Sequence, residues 1–338
     1  MVVIASTGWA RAGDGVGKLE RTVVGRARGR RRGVLAGAGV LALAVTTACW
    51  VTTPALAFAD DDFTEEYVAL GDSFAAGPLI LPQEELDPCF RSSVDYPHVL
   101  AKALNVRTFR DVTCSSATTA NILDTPQKAN LPGLPAKPPQ IDALTSHTTL
   151  VTITIGANDI GLAGTALTCF NLLPPPLGKS CRATQTAGGV DRGAEAVDSV
   201  ADKLAGTLDA VHDRSPDARV IITSYANYIR HNGCYPEQPV WAEDANYIQG
   251  LVNRLGRVTA RVAADHDAEY VDFIGPGAGH DGCNLTSNWA NIVVPGTTLG
   301  IVPLHPTALG ERSFAHVLER HLTGHRRQDT SVLDDAVR

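Results

Sequence analysis

The order of elements along the chain predicts an α/β fold: a three-layer α/β/α sandwich with a central parallel sheet. Two observations carry this. Residues 149–155 (T-L-V-T-I-T-I) and 218–223 (A-R-V-I-I-T) are nearly continuous in β-branched and aliphatic residues. That is the composition of strands buried on both faces. Between such runs lie stretches with apolar residues at helical spacing. Strands alternating with helices make a parallel sheet covered on both sides, and right-handed crossovers wind it in both directions.

Taken in order, 66–70 is the first strand and 106–112 a weaker second. The runs at 149–155 and 218–223 follow, and 269–273 (E-Y-V-D-F) is the last. Helices are expected at 96–104, over the Ala-rich 189–212, at 241–265 and at 305–321, where Pro306 suits a first turn. The 241–265 stretch sets Ile248, Leu251, Val252, Leu255, Val258 and Val262 on one stripe. Loops at 78–88, 124–139, 172–189 and 275–302 are long and rich in Pro and Gly, a length typical of functional or stapled segments. No internal repeat is present. The polar tail 324–338 is expected to be disordered, which leaves 58–323 as a single domain.

Residues 1–57 are expected to be removed. Arg26, Arg28, Arg30, Arg31 and Arg32 form a basic cluster, an apolar small-residue run follows over 33–48, and Ala55-Leu56-Ala57 supplies an A-x-A site. That order is a secretory signal peptide cleaved after Ala57, with Ala59 the alternative. Arg31-Arg32 loosely matches a twin-arginine signal, which leaves the export route open. A retained anchor is disfavoured because the apolar run is shorter than the ~20 residues that span a bilayer. Removing 1–57 takes out eight Lys/Arg and two Asp/Glu and leaves 21 and 34, a net charge of −13. An acidic chain of this kind lacks the clustered cations that nucleic acid requires.

Six cysteines remain after removal of the signal: Cys89, Cys114, Cys169, Cys181, Cys234 and Cys283. An even count in an exported chain points to disulfides. Pairing neighbours, 89–114, 169–181 and 234–283, lets each bridge bracket one loop region. No C-x-x-C pair argues for a metal.

The chemistry gathers at strand ends. Gly71-Asp72-Ser73 ends the first strand and Gly156-Ala157-Asn158-Asp159 ends another. In a parallel sheet these ends share one edge, so Ser73 and Asn158 approach each other despite 85 residues of separation. A third small-residue turn, C-S-S-A-T-T (114–119), follows the weaker strand, and Leu304-His305-Pro306-Thr307 opens the last helix. Singly, Gly, Asp, Asn and Ser are ordinary turn residues. Four such blocks in this order, three of them at strand ends, are hard to reach by chance.

The arrangement resembles the SGNH hydrolase family, the GDSL lipases and esterases, over about residues 67–322, and the six cysteines resemble its secreted bacterial branch. The resemblance implies a flavodoxin-like sheet, Ser73 as nucleophile and His305 as base. It implies an oxyanion hole of the Ser73 and Ser116 N–H groups and the Asn158 amide. Ser116 stands where relatives tend to have glycine, so a positive φ there would carry strain. The family's D-x-x-H aspartate is replaced by Val302 in V-P-L-H. A backbone carbonyl of Val302 or Pro303 is the expected substitute, giving a Ser-His dyad, with Asp281 a distant alternative acid. Asp72 and Asp159 are read as turn-shaping carboxylates, and Trp241 and Trp289 as packing residues.

The chain is thus expected to be a monomeric ester hydrolase without metal or cofactor, acting on acyl lipids with only transient contact with lipid surfaces. A glycan acetyl esterase and a non-catalytic secreted binding domain are the alternatives. His280, in G-H-D-G, is the second choice for a site histidine.

Overall fold

Five parallel strands form one sheet in the order β2-β1-β3-β4-β5: β1 Glu66–Gly71, β2 Thr108–Asp111, β3 Leu150–Thr154, β4 Arg219–Thr223 and β5 Glu269–Val271. The computed structural model describes residues 63–84, 89–129 and 133–335, which belong to one compact unit. The expected export signal lies outside the described residues. Helices α1 Ser73–Ala76, α2 Tyr96–Ala103, α3 Thr119–Leu123, α4 Leu162–Leu167 and α5 Cys181–Gln185 are short. They are followed by α6 Arg192–Asp198, α7 Ala201–Arg214, α8 Ala242–Asp265 and α9 Ala308–Asp335.

Strand order decides where the site falls. The chain leaves β1 for β2 on one side, then returns past β1 to β3 and runs on to β5 in the other direction. Right-handed crossovers therefore lay α2 on one face and α7 and α8 together on the other, and α9, after the last strand, packs on α2. Between β1 and β3 the winding reverses, and the carboxyl ends of strands at such a switch point leave a crevice. Ser73 follows β1 and Asn158 follows β3, so the sheet topology alone places both at that crevice.

All five residues of β3 are buried, as are Tyr67 to Gly71 in β1. Their polar side chains are satisfied across the sheet. Tyr67 Oη lies 2.7 Å from Thr152 Oγ1, and Thr154 Oγ1 lies 2.7 Å from Thr223 Oγ1. Below the β1 turn an aromatic cluster fills the core: Phe74 packs on Phe314 at 5.1 Å between ring centroids, and Phe273 stacks on Phe314 at 4.6 Å. Burying each such ring stabilises the fold by roughly 2–3 kcal/mol.

Two expectations are corrected. The single helix over 189–212 is two, α6 and α7, broken at Ser199–Val200, where the Ser199 hydroxyl bonds back to the Ala196 carbonyl. The last helix begins at Ala308, not His305. Thr307 Oγ1 accepts the Gly310 N–H at 3.0 Å and caps it, while Pro306 is drawn into a bridge with Ala290. His305 therefore sits on a loop. At the other end α9 is assigned to Asp335.

The bridges pair as expected from neighbours in sequence, Cys89–Cys114, Cys169–Cys181 and Cys234–Cys283. Among the described residues no helix is long and apolar enough to cross a membrane.

Candidate active site

Gly71 makes the turn possible. Its φ is +150°, and a Cβ there would stand 2.6 Å from the Thr154 carbonyl oxygen of the adjacent strand. Only glycine tolerates both conditions. Gln140, in a short 3₁₀ turn, latches the same residue: its Oε1 accepts the Gly71 N–H at 2.7 Å and its Nε2 donates to the Gly71 carbonyl at 2.9 Å. Asp72 then caps α1 by accepting the Phe74 N–H at 2.9 Å. Ser73 takes the first helical position, where its own N–H has no intrahelical acceptor.

His305 reaches Ser73 across 232 residues, with Nε2 2.7 Å from the Ser73 Oγ. Its Nδ1 lies 2.8 Å from the Pro303 carbonyl oxygen. Of the two carbonyls offered by the sequence, Pro303 meets the ring, while Val302 lines the pocket wall. Leu304, at φ +60°, bends the chain to make this approach. Asp281 is committed elsewhere, to the Arg230 guanidinium at 3.0 Å and the Cys283 N–H at 3.0 Å. Burial holds the His305 imidazole below its ordinary value, against a raising contribution from the Pro303 carbonyl. The ring is therefore neutral at neutral pH and can accept a proton.

The two other turns close on the serine. Asn158 Nδ2 donates to the Ala117 carbonyl at 2.8 Å, which leaves its second N–H for another acceptor. Asp159 accepts from the Thr119 N–H at 3.0 Å and from its hydroxyl at 2.6 Å. The carboxylate expected to shape only its own turn thus binds the third strand's loop to α3. Ser116 adopts φ +72°, the left-handed conformation in which glycine carries no penalty.

Two contributors have no motif to announce them. Gln140 is one. Tyr225, just past β4, is the other: its hydroxyl donates to the Asp72 carboxylate and accepts the Ala157 N–H at 3.0 Å. Its one legible sign is position, since it too ends a strand on the catalytic edge. Burial pushes the Asp72 carboxyl up to about 7, against lowering contributions from the Tyr225 hydroxyl and the Phe74 N–H. His280, by contrast, stacks on Trp289 at 4.8 Å and serves packing. Trp241 donates to the Leu173 carbonyl at 2.9 Å.

A pocket of about 380 Å³ opens beside Ser73 and His305. Its wall is apolar: Leu162 and Ala166 from α4, Ile248 and Val252 from α8, and Leu79 and Val302 from the loops. A hydroxyl bonded to a neutral imidazole, beside N–H donors and an apolar cleft, can attack a carbonyl carbon and hold the charge that develops.

The fold and this constellation define an α/β ester hydrolase of the SGNH kind. The model of the GDSL-like lipase/acylhydrolase family matches residues 69–312, and the chain belongs to that family. Lipase 2 of Streptomyces coelicolor is 35% identical over 289 residues, 83% of this chain and 92% of that protein. A lipase of Streptomyces rimosus is 31% identical over 282 residues, 79% of this chain and 93% of that protein. Among solved structures, phospholipase A1 from Streptomyces albidoflavus aligns with a TM-score of 0.60 at 28% identity. That alignment covers 75% of this chain and 98% of the other. The chain is an enzyme of this class, which sets aside the reading of a non-catalytic binding domain.

Proposed function

We propose that Ser73 and His305 form a catalytic dyad that hydrolyses carboxylic esters of acyl lipids through an acyl-enzyme. The observation that carries it is the His305 ring, held by the Pro303 carbonyl on one side and bonded to Ser73 on the other, at the mouth of an apolar pocket. In the first half-reaction His305 Nε2 takes the Ser73 proton as Oγ attacks the ester carbonyl, then returns it to the leaving alcohol. The Ser73 and Ser116 N–H groups and the free N–H of the Asn158 amide hold the oxyanion, one such donor typically contributing about 10²–10³ in rate. Water, deprotonated by the same imidazole, then releases the acid.

The apolar wall supports acyl chains over acetylated sugars as substrate. Leu81, Leu299 and Ile301, exposed in the loops that lead to the pocket, support brief contact with a lipid surface. Three disulfides and the basic-then-apolar leader support an exported protein trimmed near Ala57.

The test is hydrolysis of p-nitrophenyl esters of short and long acids, a phospholipid and an acetylated sugar by protein starting at Phe58. Wild type is expected to prefer the longer acyl chains, and Ser73→Ala and His305→Ala to lose at least about 10³-fold in kcat. Activity retained in Ser73→Ala overturns the nucleophile. Faster turnover of the acetylated sugar overturns the lipid assignment.

A further inference from the structure

Beneath the nucleophile turn lies a second cluster of chemistry-bearing groups that ester hydrolysis does not use. Gly77, which ends α1, abuts Asp95 and Glu311: a Cβ on it would stand 3.2 Å from Asp95 Cβ and from Glu311 Oε1. Asp95 caps α2 through Oδ1, which accepts the His98 N–H at 3.0 Å. Asp111, at the end of β2, accepts the Thr113 N–H and hydroxyl at 2.8 and 2.7 Å through its own Oδ1. The second oxygen of each carboxylate is left over. Asp95 Oδ2 and Glu311 Oε1 are buried and accept no hydrogen bond among the described residues, and Asp111 Oδ2 has only a long approach from the His98 ring. The Asp95, Asp111 and Glu311 side chains are at most 2% exposed.

His98 stands among them. Its Nδ1 is 2.7 Å from Asp95 Oδ1 and 3.4 Å from Asp111 Oδ2, and its Nε2 is 3.1 Å from Glu84 Oε1. Arg91 holds the other Glu84 oxygen at 2.8 Å. Even a fully protonated imidazole has two N–H groups for these three carboxylates. One buried carboxyl is left without a counter-charge, and such a group takes up either its own proton or a cation.

We propose that Asp95, His98 and Asp111 form a structural divalent-cation site, with Glu84 orienting the imidazole. One ligand atom from each of the three lies within 4.8 Å of the others. One nitrogen and two carboxylate oxygens suit zinc; calcium prefers six to eight oxygens. Ligands 2.0–2.2 Å from a tetrahedral zinc stand about 3.3–3.6 Å apart. The 3.4 Å between Asp111 Oδ2 and His98 Nδ1 already fits, and Asp95 would bind through Oδ2, the oxygen that does not cap α2. On binding, the Nδ1 proton leaves to solvent and Nδ1 becomes the ligand. Nε2–H donates to Glu84, the carboxylate–histidine–metal relay that fixes ring orientation. Water takes the fourth position. The ion would tie the N-terminus of α2 to the edge strand β2, apart from the ester chemistry. His98 and Glu84, both partly exposed, offer the way in.

The experiment uses the oxidised protein starting at Phe58, expressed with added zinc, dialysed and assayed for metal. It is then stripped with EDTA and titrated with zinc, manganese or calcium by calorimetry and thermal melting. One zinc per chain is expected, with a melting temperature raised by roughly 5–10 °C at zinc one hundred times its dissociation constant. Asp111→Asn, which keeps the bond to Thr113, and His98→Gln should lose both stoichiometry and shift. Glu84→Gln, which removes no ligand, should weaken affinity about 10–100-fold. Ser73→Ala should bind zinc as wild type does. Absence of bound zinc and of any shift overturns the site, as does a shift that survives in both ligand variants. A larger shift with calcium than with zinc overturns the assigned ion.

Discussion

The carbonyl oxygen of Pro303 lies 2.8 Å from His305 Nδ1, two residues along the same loop. It takes the part expected of an aspartate three residues before the histidine, a position that Val302 occupies here. A carbonyl accepts Nδ1–H and so fixes the tautomer that leaves Nε2 facing Ser73. It brings no full negative charge to steady the imidazolium. The pH dependence follows from that difference.

With no carboxylate beside it, and with burial opposing its protonation, the His305 ring titrates below its ordinary value. In the proposed dyad neutral imidazole is the base, so a lowered value keeps that base available to lower pH. The acid limb of kcat/KM is expected to have its midpoint below about 6.5. A pH-stat profile on a soluble ester checks this, and a midpoint above 7 rules it out. The stability sign agrees: the unfolded chain binds the His305 proton more readily, so this group's contribution is lost as pH falls below about 6.5.

Tyr225 joins two turns that the reaction needs together, Asp72 beside the nucleophile and Ala157 beside Asn158. Tyr225→Phe removes a donor from a buried carboxyl and an acceptor from a buried N–H. A stability loss of about 1–3 kcal/mol is expected by denaturant titration. Loosening the turn that carries Asn158 should lower kcat about tenfold with KM within twofold. Equal changes in kcat and KM would argue for general misfolding instead. Loss of the phenol also removes a contribution that lowers Asp72, so its titration should move up from about 7.

Ser116 holds φ +72°. That conformation costs a non-glycine residue about 1 kcal/mol, so Ser116→Gly should raise the melting temperature by roughly 2–4 °C. The N–H remains, and kcat should stay within threefold of wild type. A tenfold fall would assign the hydroxyl a role of its own.

The bridges should separate stability from activity. Opening Cys89–Cys114 or Cys169–Cys181 with paired serine substitutions releases loops of 25 and 12 residues. Each should cost about 3 kcal/mol. Cys114 begins the turn that carries Ser115 and Ser116, and Ser115 N–H bonds the Cys89 carbonyl at 3.1 Å. Loss of the first bridge should therefore also depress kcat, while loss of the second should leave it near wild type.

The sequence by itself determined which segments are strands, because runs such as 149–155 must be buried on both faces whatever surrounds them. It also set the approach of Ser73 and Asn158, since parallel strands present their carboxyl ends on one edge. The neighbour pairing of cysteines was legible for a similar reason: each bridge closes a single local loop. Where contacts depend on which distant side chain arrives, the sequence was silent. Nothing local distinguishes the Val302 carbonyl from that of Pro303, since Leu304 must first turn to φ +60°. Gln140 reaches Gly71 across 69 residues, and Tyr225 reaches Asp72 across 153. Hydrophobic periodicity over 189–212 reads as one helix, because it records which face is apolar and not where Ser199 turns back on its own backbone. Of the proposed cation cluster, only the i, i+3 spacing of Asp95 and His98 is local, for Asp111 arrives from an edge strand and Glu84 from a loop. Periodicity and strand-end chemistry are properties of the chain; the register that brings separate elements into hydrogen-bonding distance is a property of the packed core, and only the tertiary structure decided it.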